Sequence, residues 1–307
     1  MTNQKMFTGV AYSCLLLMII MIFLGVQSLS AQDQTEKSYF QKNVNNKKVQ
    51  LVWHDEFDID GKPDPKNWNY EYGFVRNREL QWYQPQNAFC KDGLLIIEGR
   101  REEVKNPDYD RSSNDWRTNR ERAAYTSSCV ITRELQEWPV FGYYEVRARI
   151  STDKGAWPAI WLLGTEGRWP GNGEIDMMEF YRINDVPHIL ANVAWASSQR
   201  YKASWDDSKH PFSKFTEQDP DWDEKFHTWS MTWDESNIRL YLDDELLNEV
   251  DLSKTVNPDQ RNPFTSEQKF YLLLNMAIGS NGGDPSETDF PIQFEIDYAR
   301  VYRFIDN

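Results

Sequence analysis

Apolar and polar residues alternate with period two along most of the chain, in short runs that end at turn residues. Leu94 follows Lys91-Asp92-Gly93, and Leu242 precedes Asp243-Asp244, so turn-forming residues bound these runs. Period-two alternation is typical of a strand with one buried and one exposed face. The clearest runs predict strands at residues 94–98, 143–150, 228–233, 238–242 and 270–275.

Strands that recur at such short intervals predict a single all-β domain, either a sandwich or a barrel. Long amphipathic helices are absent from the pattern, and residues 258–268 are a weak helical candidate. We find no internal repeat and no sign of a second domain. Residues 32–49 are polar, rich in lysine and without an apolar period, which predicts a flexible leader before a domain at 50–307.

The first 31 residues have the pattern of a signal peptide. Lys5 precedes an apolar run from Leu15 to Val26, and Ser28-Leu29-Ser30-Ala31 follows it. A retained membrane anchor is the competing interpretation, but the run falls short of the roughly 20 residues that span a bilayer. We therefore expect cleavage near Ser30 or Ala31, no membrane attachment afterwards, and a secreted or periplasmic protein.

The net charge of −14 argues against binding to nucleic acid or to an anionic membrane surface, both of which attract clustered Lys and Arg. Aromatic residues make up 14% of the chain, with 13 Trp, which suits either a large β-sandwich core or surfaces that stack on sugars. A neutral polysaccharide is the partner that fits both properties. Cys90 and Cys129 remain after loss of the signal peptide, and the sequence leaves open whether they pair.

The segment that indicates chemistry is Gly173-Glu174-Ile175-Asp176-Met177-Met178-Glu179-Phe180. In a regular strand Glu174 and Asp176 share a face, whereas Glu179 points into the core, where an unpaired ionised carboxylate is costly. One extra residue at Met177-Met178 returns Glu179 to the acidic face, and such β-bulges are common beside active sites. The spacing therefore predicts a bulged strand that displays three carboxyl groups in one row.

Paired carboxyl groups about 5–5.5 Å apart are what a retaining glycosidase requires, one as nucleophile and one as proton donor. Three crowded acids cannot all ionise at ordinary pKa values, so one is expected to hold its proton near neutral pH. Glu295-Ile296-Asp297 repeats the first three residues without the third acid, so the tripeptide alone indicates little. The full pattern stands beside Trp157-Pro158-Ala159-Ile160-Trp161 and Trp169-Pro170, which favours a sugar-processing site.

These residues resemble glycoside hydrolase family 16, specifically its laminarinase-like β-1,3(4)-glucanase branch. The likeness covers about residues 50–304 and includes the motifs Trp53-His54-Asp55-Glu56-Phe57, Asn77-Arg78-Glu79-Leu80-Gln81-Trp82-Tyr83, Tyr125-Thr126-Ser127, Gly142-Tyr143-Tyr144-Glu145-Val146-Arg147 and Asp297-Tyr298-Ala299-Arg300-Val301-Tyr302. The resemblance implies a jelly-roll of two curved antiparallel sheets with a concave substrate cleft. It also implies catalytic roles for Glu174 as nucleophile, Asp176 as its assistant and Glu179 as acid/base.

Further roles follow from the same resemblance. Asn77, Arg78, Trp157, Trp161 and Trp195 are expected to contact substrate, with Trp157 and Trp161 on the glycone side. One departure is Ala194, which stands where such glucanases often carry a His and so weakens a strictly laminarin-type preference. The resemblance also implies a structural calcium ion, held by backbone carbonyls and one Asp, which map to Glu56, Gly93 and Asp297, and oxygen ligands suit this hard cation. No cofactor is expected for catalysis.

Other classes fit less well. A nucleophilic Ser or Cys hydrolase requires a His base, but the four His are scattered and no Gly-x-Ser-x-Gly motif occurs. Zinc catalysis would use His pairs at helical spacing, which are also missing. A non-catalytic lectin-like jelly-roll would not need three acids, and galactan-cleaving relatives such as agarases, porphyranases or carrageenases are the nearest alternative. The sequence thus predicts a secreted, monomeric, retaining endo-β-glucanase.

Overall fold

The computed structural model describes residues 40–199 and 201–305. They are nearly all strand, arranged in curled antiparallel sheets, which confirms the predicted β-sandwich jelly-roll. The predicted signal peptide lies outside the described residues. Among the described residues no helix is long and apolar enough to cross a membrane.

Two compact units are distinguished among the described residues, residues 40–51 with 304–305 and residues 52–303. The strands, numbered in chain order, are β1 (Gln41–Val44), β2 (Lys47–Asp55), β3 (Asn69–Tyr70), β4 (Gln81–Tyr83), β5 (Ala88–Lys91), β6 (Leu94–Gly99), β7 (Val104–Lys105), β8 (Arg122–Ala123), β9 (Tyr125–Ser127), β10 (Cys129–Ile131), β11 (Trp138–Pro139), β12 (Gly142–Arg149), β13 (Ala156–Gly164), β14 (Glu174–Ile183), β15 (Val186–Ala196), β16 (Ala203–Pro211), β17 (His227–Trp233), β18 (Asn237–Leu242), β19 (Glu245–Asp251), β20 (Lys269–Ile278) and β21 (Ile292–Phe304).

Helical segments within the described residues are short. They comprise the α-helix Ser213–Thr216 and the 3₁₀ turns Pro85–Asn87, Trp222–Glu224, Leu252–Lys254 and Ser280–Gly282. The helix predicted at residues 258–268 is wrong, because that segment forms turns. Pro263 explains the failure, since it lacks a backbone N–H and would interrupt a helix in its interior.

Regular structure begins earlier than the sequence predicts. Within the expected leader, Gln41–Val44 pairs antiparallel with Lys47–Gln50. Asn45 and Asn46 connect the two strands with positive φ angles of 48° and 63°, which Asn tolerates better than most residues. The lysine-rich composition suggested a flexible segment, but lysine is also common on exposed edge strands and therefore does not exclude a hairpin.

In the larger unit two sheets enclose the main core. Sheet A has the order β21-β12-β17-β18-β19, with β6 on the other side of β21 and β5 beside β6. Sheet B has the order β16-β15-β14-β13-β20-β10-β3, and β11 also pairs with β20. Large side chains such as Trp229, Trp233, Phe180 and Phe270 fill the space between the sheets and are fully buried. Strand β14 lies in the interior of sheet B, so both of its edges are fixed by neighbours.

A second, smaller apolar cluster lies on the opposite face of sheet B. Its members share that face or cover it, and they are Tyr83, Cys129, Ile131, Ala159, Trp161, Tyr271 and Leu273. The segment 71–83 passes over this face, and Tyr83 accepts a hydrogen bond from Asn275 of β20 at 3.1 Å. We call the face of sheet B away from the main core the cleft face, and segment 71–83 the cleft wall.

Both cysteines that the sequence left undecided are free and buried. Cys90 belongs to the main core and Cys129 to the cluster on the cleft face, so sheet B separates the two environments. Burial raises the pKa of Cys90 to about 12 and also raises that of Cys129. Neither thiol is therefore prepared to act as a thiolate near neutral pH.

Candidate active site

The predicted β-bulge is present in β14. Against β13, Glu179 pairs with Ala159 and Asp176 pairs with Trp161, which leaves Ile160 opposite two methionines. The register with β15 shifts at the same place, between Asp176 and Glu179. Met177 and Met178 are both fully buried in the main core.

This bulge places the three acids on the cleft face. Asn192 of β15 pairs with Asp176 in register, and its Nδ2 donates to Glu179 Oε2 at 3.0 Å. Trp157 Nε1 donates to Glu179 Oε1 at 3.0 Å. Both partners of Glu179 are neutral, so the carboxyl group is held in place without an ion pair.

The first acid of the row has a different environment. Trp169, in the connection between β13 and β14, donates from Nε1 to Glu174 Oε2 at 2.8 Å. Arg76 of the cleft wall acts on the same carboxyl through its positive charge. Its guanidinium lies 4.9 Å from the ring of Trp161 and donates a hydrogen bond to Glu71. These neighbours favour the ionised form of Glu174.

Burial raises the pKa of all three acids, and repulsion by a neighbouring carboxylate adds to the effect for each. Burial is the largest cause for each, and it raises the pKa of Glu174 to about 7, with repulsion by Glu179 adding to it. The pKa of Glu179 is also raised to about 7, against the hydrogen bonds from Trp157 and Asn192. Asp176 is 2% exposed, its pKa is raised, and its Oδ2 has no hydrogen-bond partner. These raised pKa values would let the group hold a proton near neutral pH.

Sequence reasoning missed a fourth buried carboxyl group near this row. Glu79 of the cleft wall is 3% exposed and accepts hydrogen bonds from Gln81 Nε2 at 2.7 Å and Asn77 Nδ2 at 3.2 Å. Burial raises the pKa of Glu79, and its charge raises that of Glu179. The signal was present, because Glu79 lies inside the motif that begins at Asn77. Only the fold brings that motif beside β14.

The predicted substrate-binding residues divide into two groups. Trp157 and Trp161 lie on the cleft face, where Trp161 Nε1 donates to Asn275 at 2.7 Å. Asn77 and Arg78 are exposed in the cleft wall, both with positive φ angles.

Trp195 is not brought together with them. Trp195 lies two residues after Val193 on β15, so both side chains point to the same face, and Trp195 packs against the main core. Successive side chains of a strand point to opposite faces, so Ala194, which pairs with Glu174, takes the cleft face instead.

The side chains of two of the predicted calcium ligands have other partners in this arrangement. The carboxylate of Asp297 forms an ion pair with Arg147, and that of Glu56 accepts two hydrogen bonds from Arg300, at 2.9 and 2.7 Å. Gly93 occupies the turn between β5 and β6 with a φ of 76°. Among the described residues no cluster of three or more His, Cys, Asp or Glu side chains could hold a metal ion.

Comparison with known proteins shows which family this chain is similar to. The profile of glycosyl hydrolases family 16 matches residues 109–300. A β-glucanase of Rhodothermus marinus is 34% identical over 274 residues, which cover 84% of this chain and 86% of the relative. The laminarinase catalytic domain of Thermotoga maritima has a TM-score of 0.69 at 32% identity, covering 84% of this chain and 99% of that one.

A further similar structure comes from endo-acting O-glycanases of the human gut microbiota. It has a TM-score of 0.74 at 34% identity and covers 83% of this chain and 91% of its own. The residues matched by the family profile include the bulged strand that carries the three acids. This chain therefore belongs to glycoside hydrolase family 16.

Proposed function

We propose that this protein is a retaining endo-β-glucanase that hydrolyses β-1,3-glucan, mixed-linkage β-1,3-1,4-glucan or both. The observation that carries the proposal is the bulge in β14, which places Glu174, Asp176 and Glu179 on one face with raised pKa values. The β-glucanase and laminarinase relatives support glucan as the substrate.

Glu174 acts as the nucleophile, since Trp169 and Arg76 favour its carboxylate form. It attacks the anomeric carbon while Glu179 gives its proton to the glycosidic oxygen, so the leaving sugar departs as an alcohol. Glu179 then removes a proton from water, which attacks the same carbon and releases Glu174. Two displacements at one carbon retain its configuration.

Asn192 suits both states of the acid/base. Its amide can donate from Nδ2 to the carboxylate or accept at Oδ1 from the protonated carboxyl group. In the present arrangement Nδ2 donates to Glu179 and Oδ1 has no partner. Asp176 keeps a proton beside Glu174, because its burial and the charge of Glu174 raise its pKa.

Digestion of a polysaccharide panel tests the proposal. Purified protein is incubated with laminarin, lichenan, carboxymethylcellulose, agarose and carrageenan, and the early products are sized. Oligosaccharides of several lengths from a β-glucan support endo-cleavage, and proton NMR should show the β-anomer first. Glucose as the sole early product, or an initial α-anomer, would overturn the corresponding part of the proposal.

A second candidate is endo-cleavage of a galactose-containing glycan. Ala194 pairs in register with Glu174 on the cleft face, so the departure from the common His lies directly beside the proposed nucleophile. The likeness to endo-acting O-glycanases that initiate mucin breakdown supports a glycan substrate other than β-glucan. Activity on mucin O-glycans or galactans in the absence of glucan cleavage would transfer the assignment.

Three further expectations belong to the same proposal. Residues 1–31 act as an export signal, which N-terminal sequencing of the mature protein tests. The mature enzyme is a monomer, which light scattering after gel filtration tests. A calcium ion at Glu56, Gly93 and Asp297 would raise the melting temperature relative to EDTA, and Asp297→Asn would abolish the difference.

A further inference from the structure

We propose that Trp205, together with Asp207 and Lys209, forms a sugar-binding platform on the leaving-group side of the cleft. The inference rests on the proposed function and adds a subsite to it. We call these three residues of β16 the Trp205 platform.

Strand register places the platform beside the catalytic row. Glu174 pairs with Ala194 of β15, and Ala194 pairs with Trp205 of β16. One row along, Asp176 pairs with Asn192, and Asn192 pairs with Asp207. Adjacent strands are about 4.8 Å apart, so the backbone of Trp205 lies about 10 Å from that of Glu174. The spacing suits a ring just beyond the bond that is cleaved.

The contacts of the alternate residues show which face the platform occupies. Ser208 donates to the carbonyl oxygen of Leu247 at 2.7 Å, and Asp206 accepts from Asn248 at 3.2 Å. Leu247 and Asn248 lie on β19 of sheet A, so Asp206 and Ser208 face the main core. Trp205, Asp207 and Lys209 alternate with them and therefore face the cleft.

Exposure distinguishes Trp205 from the other tryptophans on this face. Trp157 and Trp161 are each 7% exposed, and their Nε1 atoms already donate to Glu179 and Asn275. Trp205 is 44% exposed. An indole offers a large apolar face with negative potential, which suits the C–H groups of a pyranose ring. Ala194 lies between Glu174 and Trp205 and carries only a methyl group, so no large side chain separates the catalytic row from the Trp205 ring.

Polar groups beside the ring complete a sugar site. Asp207 and Lys209 form an ion pair, and their side chains are 38% and 46% exposed. The carboxylate can accept from sugar hydroxyls and the ammonium can donate to them. A few polar groups around an apolar surface are the usual composition of a ligand site.

The position of the platform identifies the part of the substrate that it binds. Trp157, Trp161 and the cleft wall lie on the β13 side of β14, whereas β15 and β16 lie on the other side. Since Trp157 and Trp161 are expected on the glycone side, the Trp205 platform faces the leaving group. The same subsite would hold an acceptor sugar, which can replace water in the second displacement and produce transglycosylation.

The test compares Trp205→Ala, Trp205→Tyr and the control Leu246→Ala. Leu246 is also 44% exposed but lies on β19 of sheet A. For each protein, kcat/KM is measured on laminarihexaose and on a methylumbelliferyl laminarioligosaccharide, whose small leaving group makes little use of a distant ring. The ratio of transglycosylation to hydrolysis is recorded at high laminarihexaose concentration. Circular dichroism confirms folding.

We expect Trp205→Ala to lower kcat/KM on laminarihexaose about 10-fold, a change that corresponds to loss of one good contact. Activity on the aryl glycoside should change little, and transglycosylation should fall. Trp205→Tyr should retain most of both, and Leu246→Ala should match the wild type. A folded Trp205→Ala enzyme with wild-type values on hexaose and on transglycosylation overturns the inference.

Failure of the proposed function gives a different result. If the wild type cleaves a galactan or an O-glycan instead of β-glucan, glucan activity is refuted. The same variants are then compared on long and short oligosaccharides of that polymer, where the platform again requires a loss confined to the long substrate. A wild type without activity on any polysaccharide overturns both.

Discussion

The tripeptide Glu-Ile-Asp occurs twice in this chain, at residues 174–176 in β14 and at 295–297 in β21, and its acids have opposite environments. In β21, Glu295 Oε2 accepts from Arg149 Nε at 2.8 Å, and Asp297 pairs with Arg147. In β14, the hydrogen-bond donors nearest the acids are neutral Trp and Asn side chains. A positive partner stabilises a carboxylate, whereas burial without one raises its pKa.

Strands β14 and β21 also each contain a β-bulge, but the inserted residue points to a different environment in each strand. In β21, Tyr298 pairs with Arg147 and Ile296 with Ala148, so Asp297 is the extra residue and its carboxylate reaches the same arginine. In β14 the extra residue is a methionine, and both methionines point into the core. The identity of the inserted residue therefore decides the effect of the bulge. In β21 the inserted Asp297 forms an ion pair, whereas in β14 the inserted methionine packs in the core and Glu179 points to the cleft face.

The largest effect expected from this comparison is catalytic. Glu179→Gln should lower kcat on β-glucan by about 10²–10⁴, the usual contribution of a general acid. The loss should be much smaller on an aryl glycoside with an acidic leaving group, which needs no proton. Glu174→Ala should lose activity on both substrates and be partly rescued by azide.

The matched control is Glu295→Gln, which changes the same residue type in the other tripeptide. Steady-state kinetics on lichenan and the aryl glycoside should show near wild-type values. Equal losses in Glu179→Gln and Glu295→Gln would mean that the bulged strand has no special role.

A second experiment changes the register of β14. Deletion of Met177 leaves a single residue opposite Ile160 and a regular strand in which all three acids still share one face. Detectable glucanase activity should survive, despite the smaller core. Insertion of one Ala after Met178 must displace Glu179 or turn it inward, and a shift of about 1 Å can cost about 100-fold in rate.

Rates on lichenan, with circular dichroism for folding, measure both variants. The bulge argument is refuted by a folded but inactive deletion beside an active insertion.

The third effect concerns stability and its dependence on pH. The folded-state pKa of Glu174 is raised from 4.5 to about 7, so the folded protein is penalised as pH rises above 4.5, and fully so above 7. Glu174→Gln resembles the protonated acid. It should leave the free energy of unfolding unchanged at pH 4 and increase it at pH 8 by roughly 1–3 kcal/mol.

Urea denaturation at the two pH values measures this difference. Glu295→Gln should show no such gain at pH 8, since it removes the partner of Arg149. A Glu174→Gln protein that is no more stable than the wild type at pH 8 contradicts a buried carboxylate with a raised pKa.

The smallest effect is expected on the surface of sheet A. The side chains of Arg147 and Asp297 are 39% and 33% exposed, and such ion pairs contribute about 0–1 kcal/mol. Arg147→Gln should therefore change the free energy of unfolding by less than about 1 kcal/mol and leave activity unaltered. Thermal and urea denaturation measure this change. A loss of several kcal/mol would contradict the description of the Arg147–Asp297 pair as a weak, partly exposed ion pair.

Several features of the site were predictable because they depend on local rules. Glu179 would be buried in a regular strand, and the cost of burying its charge predicted the bulge that β14 contains. Residues 228–233 and 238–242 fall within β17 and β18, since alternation of apolar residues is a property of the strand itself.

Other features failed because a local pattern admits two solutions. Trp195 could stack on a sugar or pack in the core. Only the fold shows that it lies on the core face of β15, the face that Val193 also occupies. The fold brings together groups far apart in sequence, such as Arg76 with Trp161. It likewise brings Glu79 close enough to act on Glu179.

By itself, then, the sequence determined an all-β chain, a row of three acids on a bulged strand and the family to which they belong. Strand order and register decided which charges surround each acid, which tryptophans face the cleft, and that Asp297 is held by Arg147. The physical reason is that period-two alternation defines the two faces of a strand, whereas a pKa or a binding surface depends on neighbours that come from distant strands.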